Sequence, residues 1–139
     1  MSLEELNRFF DVEFPQMRQL GGMTLVSVGP GTARMRLPHD VANLRPGGTI
    51  SGPSMFALAD VGLYAVILAH IGPVGLAVTT NLNINFLNKP KPQALLADCS
   101  LLKLGKRLAV GEARIFGEED GLLVAHATGT YSMPPRHTA

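Results

Sequence analysis

The run Pro53-Ser-Met-Phe-Ala-Leu-Ala-Asp60-Val-Gly-Leu-Tyr-Ala-Val-Ile-Leu-Ala69 is apolar on nearly every side of a helix and holds a single carboxylate. A helix without a polar face has to be enclosed by the rest of the chain, so the remaining residues must build something wide enough to wrap it. An ionised side chain on such a helix is costly unless it is paired, reached by a wet cleft or employed. Asp60 is therefore the first candidate for chemistry. A membrane span competes for the same residues, but Asp60, Gly62, the leading Pro53 and the lack of a second span favour a buried helix.

The 139 residues amount to one domain, read as 1–139 with a helical brace over 1–20 and a frayed tail over 134–139. Twelve basic and eleven acidic residues leave a net charge of +1, which provides no field to recruit nucleic acid or an anionic membrane. Cys99, the single cysteine, lies near Ala97, Leu101 and Leu102 and reads as a buried, inert thiol. The opening Met1-Ser-Leu-Glu-Glu-Leu does not read as a secretory signal, so a reducing cytoplasm is expected. His39, His70, His126 and His137 show no ligand-like spacing with one another or with Cys99, so neither a metal nor another cofactor is expected.

Leu3, Leu6, Phe9 and Phe10 recur at helical spacing among Glu4, Glu5, Arg8 and Asp11, predicting an amphipathic helix that ends before Pro15. From Met23 to Leu37 the pattern alternates, with Ala33, Met35 and Leu37 against Arg34 and Arg36, and Gly29-Pro30-Gly31 supplies a hairpin turn. Residues 38–52 are the longest irregular stretch, and a loop feeding the central helix is expected to be functional. In Val78 to Phe86, Val78, Leu82, Ile84 and Phe86 alternate with Thr79, Asn81, Asn83 and Asn85, predicting one dry face and one polar face. Leu95 to Leu104, Leu108 to Phe116 and Leu122 to Tyr131 read as antiparallel strands joined at Gly105-Lys106-Arg107 and at Glu118 to Gly121. One long buried helix followed by successive antiparallel strands makes an α+β fold in which a curved sheet wraps the helix, the hotdog arrangement.

Four segments carry a more specific signal: Gly47-Gly-Thr-Ile-Ser-Gly-Pro-Ser-Met-Phe-Ala-Leu-Ala-Asp60, Thr79-Thr-Asn-Leu-Asn-Ile-Asn-Phe-Leu-Asn-Lys-Pro90, Leu104-Gly-Lys-Arg-Leu-Ala109 and Ala125-His-Ala-Thr-Gly-Thr130. In content and order, over roughly residues 40 to 131, the chain resembles the PaaI-like hotdog-fold acyl-CoA thioesterases of the phenylacetate-degradation group. The resemblance implies an acyl-CoA substrate and a homodimer or dimer of dimers. It also implies that Asp60 activates water or attacks the thioester carbonyl, that the Gly52 N–H polarises that carbonyl, and that the Thr79 hydroxyl holds the water or the acid. Ser51 stands at the family's His, Pro53 at its second Gly and Arg45 at its usual Asn, with Asn43 nearby but out of register.

Thioester hydrolysis needs a base or nucleophile and a donor facing the oxyanion. Helix N-termini offer unpaired N–H groups, and glycine permits close approach, so Gly52 suits the second role; Ser51 or Gly52 is the expected N-cap. Asp60 follows Gly52 by eight residues, about 12 Å along one helix. That separation is too long for both to serve one carbonyl, whose reacting partners lie within roughly 3–3.5 Å. Either the two do not cooperate, or they come from different chains. Arg45, Ser51, Pro53, Phe56 and Lys106 are the expected substrate contacts, with Lys89, Lys91, Lys103 and Arg107 as further phosphate candidates. Met55, Phe56, Leu63 and Tyr64 are candidates for an acyl pocket. A non-catalytic acyl-thioester binding or sensing protein of the same fold is the competing reading; a hydratase or dehydratase, which pairs an acid with a histidine, is disfavoured by Ser51.

Overall fold

The computed structural model describes residues 1–73 and 77–135, so His137 and most of the expected tail lie outside the described residues. Helix α1 (Leu3–Glu13) is followed by a 3-10 turn (Pro15–Gln19), the hairpin β1 (Thr24–Gly29) and β2 (Thr32–Leu37), and a short 3-10 turn (Val41–Asn43). Then come α2 (Gly52–Ile71), β3 (Val78–Phe86), β4 (Leu95–Leu104), β5 (Leu108–Gly117) and β6 (Leu123–Ser132). The strands form one antiparallel sheet in the order β1-β2-β4-β5-β6-β3. With α2 packed against it, this is the α+β hotdog fold.

Local chemistry sets the element ends. Ser2 caps α1 in a reciprocal box with Glu5, and the helix stops before Pro15. Its Leu6 and Phe10 are fully buried, which makes the segment a brace against the body of the domain. Gly31, with φ +68, lets the β1–β2 hairpin turn in two residues.

Helix α2 has the length and apolarity of a membrane span, but in the fold Leu58, Leu63, Val66, Ile67 and Leu68 are all fully enclosed by protein. The sheet meets it with small residues: Ala97 and Cys99 on β4, Ala109 and Ala113 on β5, Ala125 and Ala127 on β6. Gly111 and Gly129 are cross-strand partners, and a Cβ on either would come within 2.7 or 3.0 Å of the Leu63 methyls. The pair therefore cuts a notch that receives Leu63 and fixes how deeply α2 sits. Leu63 belongs to the core, not to an acyl pocket.

The alternation expected for β3 is broken. Thr79 lies opposite Tyr131 while Asn81 lies opposite Thr130, so Thr80 is an extra residue in the ladder. Such a bulge shifts the pleat by one and turns the side chains before it to the other face. Thr79 consequently shares the inward face of Tyr131, Leu82 and Ile84 instead of the polar face of Asn81, Asn83 and Asn85. β3 is also an edge strand, and Val78 and Phe86 near its ends are 55% and 53% exposed.

Candidate active site

Asp60 is half-buried on α2, and two hydroxyls converge on one of its oxygens. Thr79 Oγ1 lies 2.7 Å from Asp60 Oδ1, and Tyr131 Oη lies 2.5 Å from the same atom and 2.8 Å from the Asp60 main-chain oxygen. Among the described residues no hydrogen bond reaches Oδ2. The carboxylate faces a cavity of about 690 Å³ lined by Phe14, Leu20, Tyr64, Val78, Thr79 and Tyr131, with Glu13 as a second acid. Burial, then the Asp60 charge and the hydrogen bond to it, push the Tyr131 phenol far up, against a smaller opposing contribution from Thr79. Tyr131 is thus held as a proton donor.

Tyr131 is the site residue that sequence reasoning missed. On β6 the inward positions run Ala125, Ala127, Gly129 and Tyr131, so the tyrosine reads as the large core residue closing a row of small ones. The available signal was its hydroxyl, because a buried phenol needs a partner and the central helix offers one lone acid.

Gly52 lies in a different cavity, of about 420 Å³, together with Arg45, Thr49, Met55, Phe86 and Lys89. The ring of Phe86 lies over it, 3.3 Å from where a Gly52 Cβ would be. Ser51 is the N-cap: its Oγ accepts from the Ser54 N–H at 3.3 Å and donates to Ser54 Oγ at 3.0 Å. Pro53 occupies the second helical position, one later than the preferred first. Among the described residues the Gly52 N–H has no hydrogen-bond partner. The loop before α2 is bolted by Asn43, 2% exposed, whose Nδ2 donates to Gly21 O and Pro38 O and whose carbonyl accepts from Ser51 N–H.

The other expected contacts are dispersed. Phe56 is 40% exposed and Lys106 is exposed on the β4–β5 turn, and neither lines these two cavities. Of the acyl-pocket candidates, Tyr64 lines the Asp60 cavity and Met55 the Gly52 cavity. Cys99 is buried, and burial followed by the charge of Asp98 pushes its thiol up to about 12. His70 is held at both ring nitrogens, with Nδ1 2.9 Å from Val66 O and Nε2 accepting the Gly31 N–H at 2.9 Å.

Residues 47–124, more than half the chain, match the family model of the thioesterase superfamily. Among solved structures, a candidate thioesterase from a Silicibacter species is 46% identical, with a TM-score of 0.89 and coverage of 97% of this chain and 93% of that one. A variant of the phenylacetic acid degradation protein PaaI from Thermus thermophilus is 25% identical, with a TM-score of 0.73 over 86% of this chain and 99% of that one. Zebrafish thioesterase superfamily member 2, at 20% identity, shares the fold with a TM-score of 0.80 over 96% and 99% of the two chains. No curated protein matches the sequence.

Proposed function

The chain belongs to the thioesterase superfamily, and we propose that it hydrolyses acyl-CoA thioesters to the free acid and CoA at sites shared by two copies of the chain. The observation that carries this reading is Asp60, gripped at Oδ1 by Thr79 and Tyr131 on the wall of a cavity, with Oδ2 left without a partner among the described residues.

In the base route, Oδ2 takes a proton from water as the water oxygen bonds to the thioester carbon. The carbonyl oxygen gathers the negative charge and is met by the Gly52 N–H of the partner subunit. Collapse restores the C=O bond, the C–S bond breaks, and the sulfur leaves with the proton returned from Asp60. In the nucleophilic route the carboxylate attacks first, CoA leaves as the thiolate, and water then opens the acyl anhydride. Arg45 and Lys89 are suited to the CoA phosphates, with Lys106 as a further contact; Ser51, Pro53 and Phe56 are the proposed contacts around the thioester. A cytoplasmic setting is consistent with the single, buried Cys99.

The positions of the parts support a shared site. Thr79 is near one end of β3 and Phe86 is at the other, and each belongs to a different cavity. Antiparallel pairing of two β3 edges about a two-fold axis sets the Thr79 end of one chain beside the Phe86 end of the other, bringing Asp60 toward the partner's Gly52. The same pairing removes an exposed edge, which isolated strands otherwise leave as a liability.

The test is thiol release from short-chain, medium-chain and aryl CoA thioesters by wild type and Asp60→Asn. Loss of about 100-fold or more in the folded variant is expected, the range for removal of a general base. Equal turnover by both proteins would reject the reading.

A further inference from the structure

We propose that Tyr131 is a positioning residue for this hydrolysis: with Thr79 it clamps one oxygen of Asp60 so that the other is presented to the cavity. The inference rests on the thioesterase reading of Asp60. Tyr131 is a residue to which the resemblance assigns no role.

A phenol has one proton, and Tyr131 Oη lies 2.5 Å from Asp60 Oδ1 and 2.8 Å from the carbonyl oxygen of the same residue. The carboxylate oxygen is charged and closer, so it takes the larger share of the hydrogen bond. Because Oη touches both the main chain and the side chain of Asp60, it fixes the carboxylate against its own backbone. A single contact would leave the side-chain torsions free. Thr79 adds a second donor to the same Oδ1 at 2.7 Å.

The two donors are themselves held. Tyr131 is 1% exposed on β6, with Ala109 of β5 on one side and Thr79 of β3 on the other. Thr79 reaches that position through the bulge at Thr80. A clamp anchored in two paired strands restricts Oδ1 to one place, and the free pair on Oδ2 is then aimed by elimination. Burial and the neighbouring carboxylate keep the phenol protonated, so it acts as a fixed donor and not as a proton relay. A phenylalanine would fill the same space, so the hydroxyl is the part that packing does not explain.

The experiment uses the full chain with butyryl-, hexanoyl- and benzoyl-CoA, a chromogenic disulfide to read thiol release, and circular dichroism to read the folded fraction. Tyr131→Phe is expected to lower kcat about tenfold to a hundredfold with KM within about twofold, the pattern of a misaimed reacting group. Thr79→Val should do the same and Thr79→Ser should restore most of the loss. The double variant should lose less than the product of the single losses, because both hydroxyls hold one oxygen. Wild-type kcat in Tyr131→Phe, while Asp60→Asn is inactive, overturns the Tyr131 role alone. A kcat loss that merely follows a lost folded fraction also overturns it. Undiminished release by Asp60→Asn, or no release by wild type from any of the three, overturns the thioesterase reading together with the clamp.

Discussion

Cys99 Sγ occupies the space in which a side chain on Gly62 would begin: a Cβ on that glycine would lie 2.5 Å from it and 3.3 Å from Met35 Cγ. The helix and β4 are therefore in direct contact at this point, with neither partner able to grow. Gly62→Ala should gain about 1 kcal/mol from helix propensity and lose about 1–3 kcal/mol from overpacking, for a net loss of stability. Adding Cys99→Ala removes the clash and should recover part of the loss. Denaturant midpoints of the two single variants and the double variant check this.

The same thiol should report on the fold through pH. Its ordinary value is 9.0, and burial raises it in the native chain to about 12. Between those values the unfolded chain releases a proton that the native chain keeps, so stability should fall as pH rises from about 9 to 12 and be unaffected by this group below that window. Cys99→Ala should lessen that alkaline loss in urea titrations. The native thiol should also stay unreactive toward a disulfide reagent at about pH 8 and react at once in denaturant.

Much of this architecture was legible, for identifiable reasons. The closed apolar surface of α2 required a wrapping sheet, and the turns at Gly31 and Gly105 to Arg107 were written in residue types. Asp60 stood out because nothing else on that helix was charged. What escaped depended on contacts between distant strands. Thr79 was named through the resemblance, but it follows the polar alternation of its own strand, and its inward placement depends on its register against β6. Leu63 resembles any pocket candidate at helical spacing until Gly111 and Gly129 are seen to pair beneath it. Tyr131 looks like plain core because the partner that uses its hydroxyl is 71 residues away.

Arg45 and Lys89 share the cavity that contains Gly52, and the expected role of both is to meet the phosphates of CoA. Arg45→Ala with Lys89→Ala should raise KM for an acyl-CoA several-fold and leave kcat nearly unchanged, the signature of binding that is equal in ground and transition states. The N-acetylcysteamine thioester of the same acid lacks those phosphates and should show no change in KM. Steady-state kinetics on the two substrates distinguishes this from general damage, which would affect both. Higher ionic strength should weaken acyl-CoA binding to wild type more than to the double variant.

A site divided between chains has a consequence that a site within one chain cannot have. Asp60→Asn removes the acid, and Gly52→Val places a branched side chain against Phe86 and the approach to the amide, so each homodimer should be inactive. In a mixed dimer one site combines the intact Asp60 of the Gly52 variant with the intact Gly52 of the Asp60 variant, while the other site carries both lesions. Random exchange makes half the dimers mixed, with one of two sites working, so activity should return to roughly a quarter of wild type. The rise should follow the rate of subunit exchange, measured by mass on tagged chains. Complete failure to complement, with exchange demonstrated, would mean that each chain builds its own reaction centre, and would reject the shared site.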